Sequence, residues 1–597
     1  MQTVPTSSTE KRQPSSHSVV RKAFFLILGC ASLLYAFYIW YNSFVVRGER
    51  FFSLFDDAMI AMRYAKNLAD GHGLLWNAGE PPVEGYTNFL WTLYMAFIHL
   101  FPIAMSKTSL VVMATGAVIL LSNLFVVKSL AEQLVPEDRW APLAAVFLTA
   151  FYYPLIYWTL RGMEVGFLML LINVGVLLTF RLERKWNAPD LVLLTIVAAA
   201  AILTRMDAVI PIGIVTLYIL VIGWKQGIRS GLLVLPLSLL AVLIAHTVFR
   251  IHYYGDALPN TYYLKVSGVS LWDRLSRGLL VLTQVVLYHF WPVLLLFFAG
   301  LIRQPRQFLN SRGLFLLTLI GGQVVYSVYV GGDAWEWMHF ANRYLTIITP
   351  LLFIVTVRSV VALGTCDGRL LRRLTPCLGL GLLAETWFYF LKDEKFAAIA
   401  LAVLAVFIGL AGMTLMLPVC RTRLSRWPLL APILLTAMVI NFLGYSSWMM
   451  KKNNGVLTME DAGATKAGLW FKRILPKDTT LGVIWAGATP YFSELRCVDL
   501  MGKSDSVIAK GKPRGPFWPG HNKWDYSYSI GKLQPDVIVS LWEATEGDLA
   551  IVRNAGYVSV ELPMVCDGGY GPYGKNYWIK KTFQPRMLDA LRRAGIN

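Results

Sequence analysis

The chain has 597 residues, of which 56% are hydrophobic and 15% charged, with a formal net charge of +19 and a mean hydropathy of +0.52. This composition excludes a single aqueous globule and a disordered chain, and it predicts a mainly α-helical polytopic membrane protein. The positive charge calls for no nucleic acid partner, because basic loops on one side of a membrane account for much of it.

The first residues are rich in Ser, Thr, Pro and basic side chains, which predicts a disordered cytoplasmic tail over 1–22. From Ala23 to about Phe44 an apolar run lacks a small-residue cleavage site and reads as an uncleaved signal anchor. Further apolar runs start near Ser109, Ala141, Met163, Asp190, Asp207, Gly231, Gly278, Gly313, Tyr344, Leu374, Phe396 and Trp427. With spans of roughly 18 to 25 residues, this gives a bundle of about 13 helices over 23–446. The run from Phe89 to Ile103 is shorter, at roughly 15 residues, and reads as an interfacial helix.

Basic clusters at Lys11, Arg12, Arg21 and Lys22, at Arg181, Arg184 and Lys185, at Arg303, Arg306 and Arg312, at Arg369, Arg372 and Arg373, and at Arg421, Arg423 and Arg426 fall on one side when the spans alternate. That side is expected to be cytoplasmic. The loop 45–108, the turn Arg161 to Glu164, the loops Tyr253 to Lys265 and Gly331 to Arg343, and all that follows Tyr445 then face outward. The region 447–597 is polar, with a helical pattern at Ala462 to Ile474. Short β-rich runs follow at Thr480 to Trp485, Asp536 to Leu541, Tyr557 to Leu562 and Tyr577 to Lys581, so a soluble extracytoplasmic α/β domain is expected there. Cys30, Cys366, Cys377 and Cys420 lie in or beside spans, whereas Cys497 and Cys566 fall on the oxidising side, where a disulfide is permitted but not fixed by spacing.

Adjacent carboxylates at Asp56 and Asp57, just past the first span, are costly unless they bind something or do chemistry. The competing reading is that one of them caps the amphipathic helix Ala58 to Ala69. Glu164 is either a second site carboxylate or a helix-start residue. Asp333 and Glu336, spaced i to i+3 beside Trp335 and Trp337, suit sugar hydroxyls or a divalent cation, while an interfacial aromatic belt explains the tryptophans alone. Arg205-Met206-Asp207 reads as a salt bridge at a span end. Gly71-His72-Gly73 reads as a tight turn, and His72 and His339 lack metal-pair spacing. The stretch Phe517 to Tyr526 is either a sugar-stacking surface or a packed aromatic cluster.

The run Asp56-Asp57-Ala58-Met59, Arg63-Tyr64-Ala65, Asn67-Leu68, Gly71-His72-Gly73, Trp76-Asn77 and Glu84-Gly85-Tyr86-Thr87-Asn88 resembles the first outer loop of bacterial GT-C glycosyltransferases. It is most similar to the mycobacterial terminal arabinofuranosyltransferase family called AftB. Gly331-Gly332-Asp333-Ala334-Trp335-Glu336-Trp337 with Asn342-Arg343, and Ala486-Gly487-Ala488-Thr489-Pro490-Tyr491-Phe492-Ser493 with Val498-Asp499-Leu500, extend the resemblance in order along the chain. Arg161 before Gly-Met-Glu, and Met206 where relatives carry Pro between Arg and Asp, depart from the pattern.

The resemblance implies a GT-C bundle in a bacterial cytoplasmic membrane, taking sugar from a polyprenyl-phosphate donor to a cell-envelope glycan or glycoconjugate. It implies Asp56 as general base, with Asp57 second, and Arg343, Lys265, Arg161 and His72 as outward cations for the leaving phosphate. Arg63, Glu84, Tyr86, Asn88, Glu164, Asp333, Trp335 and Glu336 complete the expected substrate-binding set. The candidate cofactor is a divalent cation held by Asp57 or Glu164. A transporter or flippase of lipid-linked sugars is the alternative, but it predicts charged or broken helices near the midplane and internal symmetry.

Overall fold

The computed structural model describes residues 16–228, 231–336, 342–366, 374, 377–380, 427–449, 454–562 and 576–595. Helix α1 (Ser16–Tyr41) is followed by a small hairpin, β1 (Phe44–Val46) and β2 (Glu49–Phe51). Its turn places Arg47 and Gly48 at φ of 53° and 82°, the left-handed pair that a two-residue hairpin requires. Then come α2 (Asp56–Ala69) and α3 (Phe89–His99). At 11 residues, α3 is about 16 Å long, short of the roughly 30 Å hydrocarbon layer. It packs on α2, and its Trp91 indole donates to the Gly162 carbonyl at 2.9 Å.

Six described helices are long and apolar enough to cross a membrane, and seven if Ala141–Ala150 and Tyr153–Leu160, inclined at 51°, form one span. Pro142 and Pro154 sit in the first turns of those two helices, where a missing N–H costs nothing. The apolar run from Gly278 is realised as Leu271–Val285 and Trp291–Arg303 joined by a π turn at Val286–Phe290. Caps come from the sequence where expected chemistry allows. Asn187 accepts from the Asp190 N–H, Ser270 from Asp273 and Asn310 from Gly313, and Gly255 closes Val234–Tyr254 at φ 75°. The runs expected from Leu374 and Phe396 fall largely outside the described residues.

The C-terminal region opens with the helix Asn454–Ile474 and builds a five-stranded sheet from β3 (Thr480–Val483), β4 (Arg496–Asp499), β5 (Val537–Ile538), β6 (Tyr557–Glu561) and β7 (Asn576–Lys580). Its order is β4-β3-β5-β7-β6. β3 runs parallel to β4 and β5, while β7 is antiparallel to β5 and β6. This sheet does not close its core alone. Phe471, Leu481, Val483, Val537 and Ile579 pack in one cluster with Ile60, Tyr64, Leu74, Trp76 and Tyr86 from α2 and the loop after it. Helix α2 is therefore buried along most of its length, from Ala58 through Ala65, rather than lying on a surface. That arrangement fixes the two leading aspartates against both halves of the molecule.

Candidate functional site

Helix α2 begins after Phe55, whose side chain makes no cap. Asp56 and Asp57 are its first two residues, about 100° apart round the axis, and they enter different surroundings. Asp56 Oδ1 accepts from the Gly487 and Ala488 N–H groups at 3.1 and 3.0 Å. Neither aspartate caps α2 itself, contrary to the reading that one of them would. Asp56 instead caps the short helix Ala488–Ser493 across the domain junction. Its Oδ2 is buried and has no hydrogen-bond partner among the described residues. Burial raises the Asp56 carboxyl to about 6, against the pull of Lys503 and the two amides.

Asp57 faces cations. Its Oδ1 lies 2.5 Å from Lys503 Nζ and its Oδ2 2.9 Å from Arg343 Nη1. Burial favours the neutral acid, but Lys503, Arg343 and Lys265 together outweigh it and hold Asp57 well below the usual carboxylate range. Arg343 uses the rest of its fork on Asp333, with Nε to Oδ2 and Nη2 to Oδ1 both at 2.8 Å. The guanidinium also lies 5.1 Å from the Trp158 ring centre. Lys265 makes no hydrogen bond or ion pair among the described residues, and burial together with Arg343 lowers its ammonium to about 8. Three cations, Lys503, Arg343 and Lys265, face the two carboxylates of Asp57 and Asp333, with the Asp56 carboxyl beside them.

Lys503 is the residue that sequence reasoning missed. The Asp499 carboxylate accepts from the Met501, Gly502 and Ser504 N–H groups at 2.9, 3.1 and 2.6 Å. Gly502 takes φ +75°, and Asn260 donates to the Gly502 and Lys503 carbonyls at 2.9 Å. This loop aims the ammonium back at α2. The only signal for it in the sequence was its place just after Val498-Asp499-Leu500.

The other candidates divide. Asp333, Trp335 and Glu336 gather beside Arg343. Glu336 accepts from the Asp333 N–H and from Asn342 Nδ2, the latter at 3.1 Å. Burial and Asp333 push its acid upward. Trp335 packs edge-on to Phe55 with ring centres 5.0 Å apart, and Trp518 donates to the Ala334 carbonyl at 3.0 Å. The aromatic stretch of the C-terminal region therefore closes over this loop, with His521 ringed by Trp335, Trp485, Trp518 and Trp542. Trp337 and His339 lie outside the described residues.

Arg161 sits in a buried pair with Asp461 and donates to the Ser53 and Leu54 carbonyls rather than joining the cations on Asp57. Glu84 takes a bidentate bond from Arg250 at 2.8 and 2.9 Å, and the Tyr86 hydroxyl meets that of Tyr254 at 2.8 Å. Asn88 donates to Glu164 at 2.9 Å, and Glu164 pairs with Arg205, which also holds Asp207. These groups tie the loop to the bundle. Arg63 donates to the carbonyls of Trp76, Pro490 and Leu495 and to Asn77 Oδ1. His72 is exposed in the turn between Gly71 and Gly73, whose φ values are 83° and 90°. Neither reaches the Asp57 cluster.

A divalent cation does not fit either candidate ligand as arranged. Both Asp57 oxygens already face an ammonium or guanidinium, and Glu164 faces Arg205 and Asn88. No three His, Cys, Asp or Glu side chains converge among the described residues. Cys497 is buried, and Cys566, with which a disulfide is permitted, lies outside the described residues.

Residues 454–586 match a family described as a domain of unknown function, DUF8728. The chain is 24% identical over 404 residues to the terminal β-(1→2)-arabinofuranosyltransferase of Mycobacterium tuberculosis, covering 62% of this chain and 60% of that protein. The match thus spans less than two thirds of the relative's length. Among solved structures, ArnT from Cupriavidus metallidurans in the apo state superposes with a TM-score of 0.54 at 13% identity, over 92% of this chain and 96% of ArnT. The same protein bound to undecaprenyl phosphate gives 0.54 at 13%, over 90% and 96%. The GT-C architecture read from the loop motifs, a polytopic helical bundle with a C-terminal domain, is the architecture observed.

Proposed function

We propose that the protein is a glycosyltransferase that moves a sugar from a polyprenyl-phosphate donor to a hydroxyl of a cell-envelope glycan or glycoconjugate on the outer face of the cytoplasmic membrane. Arabinofuranose is the sugar that the curated relative suggests, and an ArnT structure with undecaprenyl phosphate supports a lipid-phosphate donor. The observation that carries the reading is a cluster of cations gathered on Asp57 next to a carboxyl raised to about 6 on Asp56. Neighbouring acids driven apart in this way take separate roles.

In this reading the acceptor oxygen bonds to the anomeric carbon as the bond from that carbon to the phosphate oxygen breaks. The hydroxyl proton passes to the bare Asp56 Oδ2, an acid strength suited to a base near neutral pH. The phosphate keeps the electron pair and goes from one negative charge to two. Arg343, Lys503 and Lys265 stabilise that gain, while Asp57 and Asp333 hold the guanidinium and the Lys503 ammonium in place before the donor arrives. The test is transfer by the purified protein from radiolabelled polyprenyl-phosphate arabinofuranose, and from hexose donors, to envelope glycan. Transfer of one sugar supports the reading. Binding and release of every donor unchanged, with net movement across a vesicle membrane, favours the flippase.

A further inference from the structure

The segment that closes over the cationic cluster carries polar atoms with nothing to bind. His521 is 6% exposed. Its Nδ1 lies 3.0 Å from the Pro519 carbonyl, which can only accept, so Nδ1 carries the ring proton and Nε2 presents a lone pair. That Nε2 has no hydrogen-bond partner among the described residues, and neither have the indole N–H groups of Trp485 and Trp542. Burial first, and Lys503 after it, bring the imidazole down to about 3, so the ring is neutral in the physiological range. One uncharged acceptor and two uncharged donors are thus set among aromatic rings. The His521 ring centre lies 5.3 Å from that of Trp335, 5.0 Å from Trp518, 5.8 Å from Trp542 and 6.0 Å from Trp485. Bare polar atoms of this kind cost stability, and an apolar ring would fill the His521 space as well, so packing alone does not account for them.

Their place in the fold says what belongs there. Trp485 lies just after β3, and two residues further along the same loop the Gly487 N–H donates to Asp56 at 3.1 Å. The Lys503 ammonium lies 5.9 Å from the Trp485 ring centre. Gly520, beside His521, packs on Lys265, since a Cβ there would lie 3.3 Å from Lys265 Cε. The aromatic wall therefore adjoins both the carboxyl proposed as base and the ammonium groups proposed for the phosphate. A sugar carried on that phosphate has its anomeric carbon one oxygen away, so its ring falls against this wall. Trp485, Trp518 and Trp542 are only partly buried, which leaves the wall reachable from outside.

We propose that His521, Trp485 and Trp542 receive the sugar ring of the donor and select an uncharged sugar, with Nε2 accepting from one ring hydroxyl and the indole N–H groups donating to others. The proposal rests on the glycosyl-transfer reading and adds to it the residues that recognise the donor's sugar. Aromatic faces cover the C–H surfaces of the ring while a few polar atoms fix its orientation. An ammonium or carboxylate on the sugar would lose its water here and find no opposite charge on these three side chains.

The test measures binding, by isothermal titration of the full-length protein with undecaprenyl phosphate and with undecaprenyl phosphates carrying arabinofuranose, glucose or an amino pentose. The wild type should bind a neutral-sugar lipid about tenfold more tightly than undecaprenyl phosphate, the worth of one or two neutral hydrogen bonds. His521→Phe keeps an aromatic ring in place, and Trp485→Phe keeps one beside Lys503. Each should lose the gain while binding undecaprenyl phosphate as before, and His521→Phe should hold its melting temperature, trading the bond to Pro519 for relief of the bare Nε2. The proposal is overturned by a gain that survives in both variants, by no gain for any neutral sugar in the wild type, or by preference for the amino pentose. Equal loss of affinity for undecaprenyl phosphate in the variants would also overturn it, as the mark of a purely structural role. A protein that shows the gain but transfers no sugar sinks the transfer reading alone, and transfer by a protein whose variants keep the gain sinks this pocket alone.

Discussion

Lys503 and Asp57 stand 446 positions apart in the chain and 2.5 Å apart in space. The ammonium is as much a part of the site as Arg343, which reaches the other Asp57 oxygen. Lys503→Met is therefore expected to leave Asp57 with a single cationic partner and to weaken binding of undecaprenyl phosphate about tenfold. Isothermal titration of the purified protein checks this, and unchanged affinity would remove Lys503 from the donor site.

Asp56→Asn keeps an oxygen for the Gly487 and Ala488 amides but is too weak a base to take a proton at neutral pH. Single-turnover transfer should fall about 100-fold or more, with the melting temperature nearly unchanged. Full activity in this variant would end the role of Asp56 as base.

The two aspartates give opposite pH signatures. Asp56 has a folded pKa raised to about 6, so it binds its proton more tightly folded than unfolded. Its contribution to stability is full below the unfolded value near 4 and lost as pH rises through about 6. Asp57, whose folded pKa is depressed, contributes stability above about 4 that is lost as pH falls below it. With Asp56 as the proposed base, transfer should rise with loss of one proton near pH 6 and level off above, because only the ionised carboxylate can accept a proton. A rate flat from pH 5 to 8 would assign the base elsewhere.

Arg343→Lys keeps charge but gives up the fork that holds Asp333 and Asp57 together. Turnover should fall in Arg343→Lys and fall further in Arg343→Ala. Equal kcat/KM in all three forms would take Arg343 out of the site.

Gly487 tests the junction itself. A Cβ there would lie 2.1 Å from the Asp56 carbonyl oxygen, so Gly487→Ala must push the C-terminal region off α2. A loss of about 1 to 3 kcal/mol of stability is expected, with activity falling as Asp56 loses its amides. A variant of wild-type melting temperature and rate would show the junction to be slack.

Long apolar runs announced themselves because hydropathy over twenty residues is a strong, local signal. The run expected from Gly313 is the helix Ser311–Tyr329, and that from Trp427 is Trp427–Met449. The loop motifs were legible for the same reason, since Asp56, Asp57 and Arg343 are short-range patterns. What the chain hid was long-range. β4 is only four residues, Arg496–Asp499, and takes its identity from pairing with β3 rather than from its own pattern. Arg161 offered a free cation to the eye, yet its partner Asp461 lies 300 positions away. Removing Arg161 would leave the buried Asp461 carboxyl, which burial already pushes upward, without its partner, so loss of activity in Arg161→Ala would report stability rather than phosphate binding.

The long separation between Asp57 and Lys503 also sets a clock on biosynthesis. At ordinary rates of synthesis, roughly 20 to 90 seconds pass between the ribosome's addition of the first residue and of the second. During that interval the nascent chain carries its aspartates without the cation that belongs to them. A product released early therefore lacks the Lys503 ammonium, and partial chains left in the membrane have only part of the Asp57 cluster.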